Sequence, residues 1–391
     1  MTGSALNGIR VADFTDVVAG PYCTLLLAAL GADIIHIDNV NKDDAIRSRN
    51  PARFSAMNMK KRSIAIDLKK QKGLDLAKKI IQSCDIVVEN FRPGVMERLN
   101  LGYAALKEIK PNIIMVSASG YGAIGPESGY TSYATIFVAM SGLSSIIGYQ
   151  GGLPNEERGP ADFRGGQNMA LSIMAALLYR NRTGLGQHID LSISEVHCCG
   201  IGEVILDYTI NNRISEPQGN LDAFMAPHNC YRCKGEDKWI SIAIGSDEEW
   251  KIFCQILGNP EWTYDDRFAD SLSRWKNQDE LDKKITEWTI THGHKEIMQI
   301  LQSYRIAAMP SYNSAEIFSD NHLRERGFVG EVAFNGEKHL VLGAPFKLTK
   351  TPVDIFYPAP LWGQHTDEIC RDIISLTSDE IKKLKEEKVI K

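Results

Sequence analysis

No stretch of this sequence is long and apolar enough to cross a bilayer: the most apolar window, residues 134–149, is short and broken by serine and glycine. The opening residues MTGSALNGIRVADF lack a basic stretch followed by an apolar one, so no secretory signal is expected and a cytoplasmic location is. A dominant charge is missing too. Forty-four Lys and Arg against 49 Asp and Glu leave a net charge of −5, which gives no electrostatic footing for nucleic-acid binding. The eight cysteines are scattered, with Cys198 and Cys199 adjacent, and do not describe a disulfide framework. Cys230 and Cys233 form a CxxC, but a structural zinc site needs a second ligand pair at similar spacing. None is present, so no metal is expected and two half-buried strand cysteines are the simpler reading. What remains is globular in composition, 43% hydrophobic and 24% charged over 391 residues, enough for about two domains with substantial cores.

The first third alternates short β-rich runs with helical ones, the grammar of a doubly wound α/β domain. Residues 9–14, 33–38, 63–67, 85–89 and 113–117 read as strands, with helices over 23–30 and 73–83 between them. Such a domain raises the question of a dinucleotide. Gly120, Gly122 and Gly125 carry the spacing G-x-G-x-x-G after a strand, but that fingerprint needs a helix to open directly, its N-terminus holding the pyrophosphate. Pro126, Ser128 and Gly129 follow instead and predict a loop. NAD binding is therefore not expected.

Beyond the first domain, residues 195–211 read as one long helix and 213–220 as a polar linker. Residues 229–232 and 239–244, joined by a Lys-Gly-Glu-Asp turn, predict a hairpin, followed by helices over 247–257, 280–289 and 295–304. This is a small α+β domain.

The stretch 159–194, GPADFRGGQNMALSIMAALLYRNRTGLGQHIDLSIS, organises the whole. From about Gln167 to Arg182 apolar residues surround the cylinder, which predicts a buried helix; Arg180 and Arg182 suit its C-terminal dipole and Gly184 its left-handed stop. Residues 187–193 then alternate as a strand, with Ile189, Leu191 and Ile193 on one face. Asp162 thus stands just before a rigid helix. On helix statistics alone such an aspartate is an N-cap, contributing about 0.5–2 kcal/mol.

The order Asp162, apolar helix, Arg180, Thr183-Gly184, Gly186-Gln187 resembles the signature of the class III coenzyme A transferases. So do Ala19-Gly20-Pro21, Lys61-Arg62-Ser63-Ile64 ahead of Asp67-Leu68-Lys69, the run from Val88 to Gly94, Gly120-Tyr121-Gly122 and Ser141-Gly142. The resemblance runs through essentially the whole chain. It implies that Asp162 is a covalent nucleophile and that Val18, Ala19, Ile66, Lys69, Asn90, Phe91, Arg92, Arg98 and Tyr121 lie along coenzyme A, which is a substrate and not a tightly bound cofactor. Lys69, Arg92 and Arg98 would meet phosphates, Arg bidentately; each is equally well a solvated surface cation. His36 and Asp38 stand where many relatives have Lys and Glu.

The same resemblance implies chains interlocked as rings in a dimer, of like or paralogous subunits. It divides this chain into 1–195, the first part of a large Rossmann-like domain; 196–224, a linker helix and loop; 225–313, the small α+β domain; and 314–391, a return segment. Gly165 and Gly166 would let backbone approach a developing oxyanion, and Phe224 and Met225 would exclude water. Details at Gly202-Glu203, 206–209 and 226–228 look most like the branch of benzylsuccinate- and carnitine-type transferases, with succinyl-CoA as donor. The α-methylacyl-CoA racemases are the alternative enzyme class, but they add an opposing His where Tyr133 stands here. A CoA-binding partner subunit is the non-enzymatic alternative.

Overall fold

The structure, a computed structural model, describes residues 3–41, 45–157, 159–334 and 337–391. The chain forms two compact units, Met1–Ser144 with Glu156–Arg213 and Asn321–Lys391, and Ser145–Asn155 with Ile214–Asp320.

The first unit is built on six parallel strands: β1 (Arg10–Asp13), β2 (Asp33–Asn39), β3 (Arg62–Ile66), β4 (Ile86–Glu89), β5 (Ile114–Ser119) and β6 (His188–Ser192). Their order is β3-β2-β1-β4-β5-β6. The sheet is wound in both directions from β1, and the boundary between β1 and β4 is the switch point at which open α/β sheets hold ligands, beyond the carboxyl ends of the strands. Successive residues alternate between two cores: Val11, Ile34, Val88 and Val116 face one, while Ala12, Ile35, Val87 and Met115 face the other. A parallel sheet needs both faces covered. Among its helices are α1 (Ala19–Ala29), α2 (Pro51–Asn58), α3 (Gln71–Gln82), α4 (Ala134–Met140), α5 (Pro160–Thr183), α6 (Ile193–Cys198) and α7 (Gly202–Asn211). Leu27 of α1 and Met169 and Ile173 of α5 fill the first core. Leu76, Ile80 and Ile81 of α3, with Ile369, Ile381 and Val389 from the C-terminal segment, fill the second.

Three expectations need correction. First, α5 begins at Pro160, so Asp162 is its third residue and not a residue ahead of it. Proline at the first helical position was the start signal, because its missing N–H has no partner to lose there. Second, α5 is not buried all round: Leu171 is 68% exposed and Leu178 57%. An apolar run cannot say whether its own chain covers it. Third, the long helix after β6 is broken into α6, a 3-10 turn at Cys199–Ile201, and α7, and Ile193 belongs to α6, not to the strand. The stop at Gly184 is as expected: φ is +76° and its N–H donates to the Arg180 carbonyl at 2.7 Å. The loop from Gly120 reaches no helix before Ala134.

In the second unit β7 (His228–Arg232) pairs antiparallel with β8 (Trp239–Ala243), the expected hairpin. A third strand, β9 (Ala307–Pro310), extends it on the far side of β8. Trp250, Phe253, Leu281, Ile285, Ile297 and Leu301 from its helices pack against Tyr231, Ile240 and Ile242.

Candidate active site

Asp162 is placed by a close crossing of α5 over α1. A Cβ on Gly166 would stand 2.5 Å from the Ala19 carbonyl oxygen and 3.2 Å from the Cys23 nitrogen, so only glycine lets the helices approach this far. Beside it Phe163 meets Tyr22 edge to face, centroids 4.7 Å apart. The first turns of the two helices therefore lie side by side, and Asp162 sits one turn before the crossing. Gly165 faces the Ile193 side chain. Both glycines are past the first turn, with N–H groups in the helical ladder, whereas no intrahelical carbonyl can reach the N–H groups of Ala161 and Asp162.

The Asp162 carboxylate caps nothing: the N-cap residue is Gly159, and no described residue donates a hydrogen bond to it. Burial raises its pKa above the usual carboxylate value, and the Arg53 guanidinium opposes the shift. Arg53, in the first turn of α2, is exposed and its side chain pairs with no described residue.

The other expected site residues follow the carboxyl ends of the strands. Asp16 donates its N–H to Asn90 Oδ1 and accepts from Asn90 Nδ2, both at 2.8 Å, which fastens the loop after β1 to the one after β4 at the switch point. Val18 and Ala19, at the start of α1, are buried, 1% and 3% exposed, so little of either is open to a ligand. Phe91, half-buried, donates its N–H to Glu89 Oε2 at 2.7 Å; burial pushes that carboxyl up to about 7 against this hydrogen bond. Tyr121 is half-buried after β5, edge-on to Tyr130. Lys69, Arg92 and Arg98 are exposed, with no ion pair from their side chains to any described residue. Ile66 stands apart: its side chain is fully buried, and its carbonyl accepts from the Val40 N–H.

Sequence reasoning missed what lies under this edge. Asp13, at the end of β1, is wholly buried and accepts from the Thr15 N–H at 3.0 Å, Thr15 Oγ1 at 2.5 Å, Thr24 Oγ1 at 2.7 Å and Lys61 Nζ at 3.2 Å. His36 lies 3.4 Å from Asp13 and 3.5 Å from Asp38, which also takes Ser63 Oγ at 2.5 Å and Arg47 Nη2 at 3.1 Å. Burial alone would raise the Asp13 carboxyl, but Lys61 and His36 hold it well below the usual range. Burial would lower His36, but Asp38 and Asp13 push it up to about 9. His36 and Asp38, the two departures from the resemblance, thus serve the scaffold. An aspartate closing the first strand, with Lys61 in a motif, was the available signal.

Among the described residues no group of three or more His, Cys, Asp or Glu could hold a metal ion, and no helix is long and apolar enough to cross a membrane. Cys233 is buried and Cys230 half-buried, and both are free.

The profile of CoA-transferase family III matches residues 6–366. Succinyl-CoA–D-citramalate CoA-transferase of Chloroflexus aurantiacus is 31% identical over 98% of both chains. Formyl-CoA:oxalate CoA-transferase of Afipia carboxidovorans is 30% identical, over 96% of this chain and 95% of its own. Succinyl-CoA:mesaconate CoA-transferase of Haloarcula hispanica is 31% identical, over 93% and 95%. Among solved structures, a CAIB/BAIF family protein from Brucella suis superposes with a TM-score of 0.88 at 25% identity, over 95% of this chain and all of that one. With a family profile across most of its length and full-length relatives at about 30% identity, the chain belongs to the family III CoA-transferases and is an enzyme of that class.

Proposed function

We propose that the protein moves CoA from succinyl-CoA to a small dicarboxylic acid, with Asp162 as the covalent carrier. The observation that carries this reading is the Asp162 carboxylate itself: partly buried, unbonded, and in the first turn of a helix. A carboxylate with no donor to stabilise it keeps its electron pairs for attack.

One Asp162 oxygen attacks the thioester carbonyl; the C–S bond breaks, CoA leaves as thiolate and a mixed anhydride remains. The thiolate then attacks the aspartyl carbonyl, which gives aspartyl-CoA thioester and releases the donor acid as carboxylate. The acceptor carboxylate attacks that thioester and expels CoA, and the thiolate attacks the acceptor carbonyl of the new anhydride, returning Asp162 as carboxylate. Thioester energy is conserved without ATP. Each tetrahedral state puts charge on an oxygen that the unpaired Ala161 and Asp162 N–H groups suit. Lys69, Arg92 and Arg98 suit the three phosphate groups of CoA.

The substrate class rests on Arg53 and on the names of the relatives. An exposed, unpaired guanidinium beside the nucleophile suits a second carboxylate, and the relatives carry succinyl-CoA, D-citramalate, mesaconate and oxalate in their names. Benzylsuccinate offers a second carboxylate too; carnitine does not. A racemase would need an opposing base, and the position of its His is held here by Tyr133, which is 73% exposed. Leu171 and Leu178 of α5 and Ile205, Leu206 and Ile210 of α7 are exposed apolar side chains that suit burial against a second copy of the chain, interlocked or otherwise.

Asp162→Asn tests the reading. We expect the variant to fold and bind CoA but to lose transfer by about 1,000-fold or more, because an amide neither attacks nor carries CoA. Intact-mass analysis of the unmodified enzyme with succinyl-CoA alone should show the CoA adduct on the peptide that contains Asp162. Near-normal turnover by the Asn variant would sink the mechanism.

A further inference from the structure

His197, on α6, is 1% exposed; neither ring nitrogen makes a hydrogen bond of full geometry, and the Ala161 carbonyl is the acceptor that the ring approaches. Its ring stacks on Phe137 of α4, centroids 5.9 Å apart and planes 16° from parallel. α6 is packed on the first turns of α5, where Ile193 lies 3.3 Å from the position of a Cβ on Gly165. The polar groups around the ring are the Ala161 carbonyl, Arg164 and Glu157, the last two paired with each other at 2.7 and 3.0 Å. Burial first, and then the Arg164 charge, hold the imidazole below its usual pKa, against the pull of the Ala161 carbonyl and of the Glu157 charge. The neutral ring has one N–H to give.

A stack on Phe137 does not call for an imidazole; phenylalanine would fill the same space without leaving two nitrogens short of a full hydrogen bond. Buried polar groups short of partners are rare and destabilising, and those that persist point to work elsewhere in the molecule. The nearby carbonyl belongs to the peptide bond between Ala161 and Asp162, whose N–H is one of the two unpaired donors of the α5 first turn.

We propose that His197 is a positioning residue for Asp162, giving its ring N–H to the Ala161 carbonyl and drawing that contact tight during turnover. That bond fixes the peptide leading into Asp162, and with it the direction of the Asp162 N–H, while the side chain passes through its anhydride and thioester states. The inference rests on Asp162 being the nucleophile.

The experiment compares His197→Phe, His197→Gln and Asp162→Asn in succinyl-CoA turnover and in melting. The Phe variant should melt at or above the temperature of the unmodified protein, keep KM for succinyl-CoA within about twofold and lose kcat about tenfold or more. Gln, which retains a donor, should recover most of kcat. Full kcat in the Phe variant, or a Gln variant as slow as Phe, overturns the proposal while Asp162→Asn stays inactive. Turnover surviving in Asp162→Asn would instead remove the nucleophile on which it stands. If the Phe variant melts early, recovery of kcat by Gln decides the matter.

Discussion

Two aspartates of the same unit are treated in opposite ways. Asp13 ends β1 fully buried, with its oxygens occupied by Thr15, Thr24 and Lys61 and with His36 at ion-pair distance. Asp162 opens α5 partly buried, with no hydrogen bond to any described residue. The surroundings of the first push its pKa down and those of the second push it up. Burying a charge without partners costs several kcal/mol, so a fold tolerates it only where the charge has other work. The paired aspartate fastens the loop that leads into α1; the unpaired one is available for chemistry. Two arginines repeat the contrast, Arg47 bonded to Asp38 and 4.2 Å over the Phe54 ring, Arg53 on the next helix, past the break at Asn50, and unpaired.

The widest gap should open between Asp13→Asn and Asp162→Asn. Removing the Asp13 charge leaves Lys61 and a protonated His36 buried together, and we expect a loss of about 3–5 kcal/mol, read as a lower urea midpoint. Asp162→Asn removes no bond, so its midpoint should stay within about 1 kcal/mol while turnover vanishes. Equal destabilisation by the two changes would break the comparison.

The arginines give a smaller effect in binding. Arg53→Gln should raise KM for a dicarboxylic acceptor about tenfold or more and leave a monocarboxylic acceptor almost unchanged, because only the former loses a charge-assisted bond. Arg47→Gln should instead lower stability and leave that selectivity alone. Parallel losses for both acids with Arg53→Gln would show that the side chain acts on Asp162 and not on substrate.

How much of this was legible in the sequence follows the same division. The β-rich runs of β1 to β5 and the Gly184 stop are local signals, and they placed the doubly wound sheet. The motifs around Ala19, Asn90 and Tyr121 fall on the carboxyl ends of β1, β4 and β5, and Asp162 lies beside α1. What failed was non-local. β9 is Ala-Ala-Met-Pro, with no β-branched residue to announce it; only pairing with β8 makes it a strand. Leu171 and Leu178 match the pattern of a buried helix, yet the chain does not cover them. Asp13, His36, Asp38 and Lys61 come from two strands and a loop, and no spacing along the chain reveals that they meet. His197 reads as an ordinary helical residue until its buried place between Phe137 and the Ala161 carbonyl is seen.

The mildest effect is in the pH dependence of stability, and it belongs to the paired cluster alone. His36 is raised from 6.5 to about 9, so the stability it contributes is fully present below pH 6.5 and lost as pH rises toward about 9. Glu89, raised from 4.5 to about 7, gives its full contribution in acid and loses most of it by pH 7, so the fall above pH 7 belongs chiefly to His36. His188, His197 and His365 are pushed down and titrate below that interval. The buried thiols of Cys84, Cys233, Cys254 and Cys370 are pushed up from 9 to about 11 or 12, so the stability they contribute starts to fall only as pH nears 9. The melting temperature should therefore decline steadily between pH 7 and 9, at constant ionic strength. Asp162→Asn should show the same decline, because its site holds no member of the cluster, and His36→Gln should flatten it from a lower starting value. A flat profile in the unmodified protein would mean that His36 is neutral between its two aspartates, and the contrast between a paired and an unpaired carboxylate would then rest on Lys61 alone.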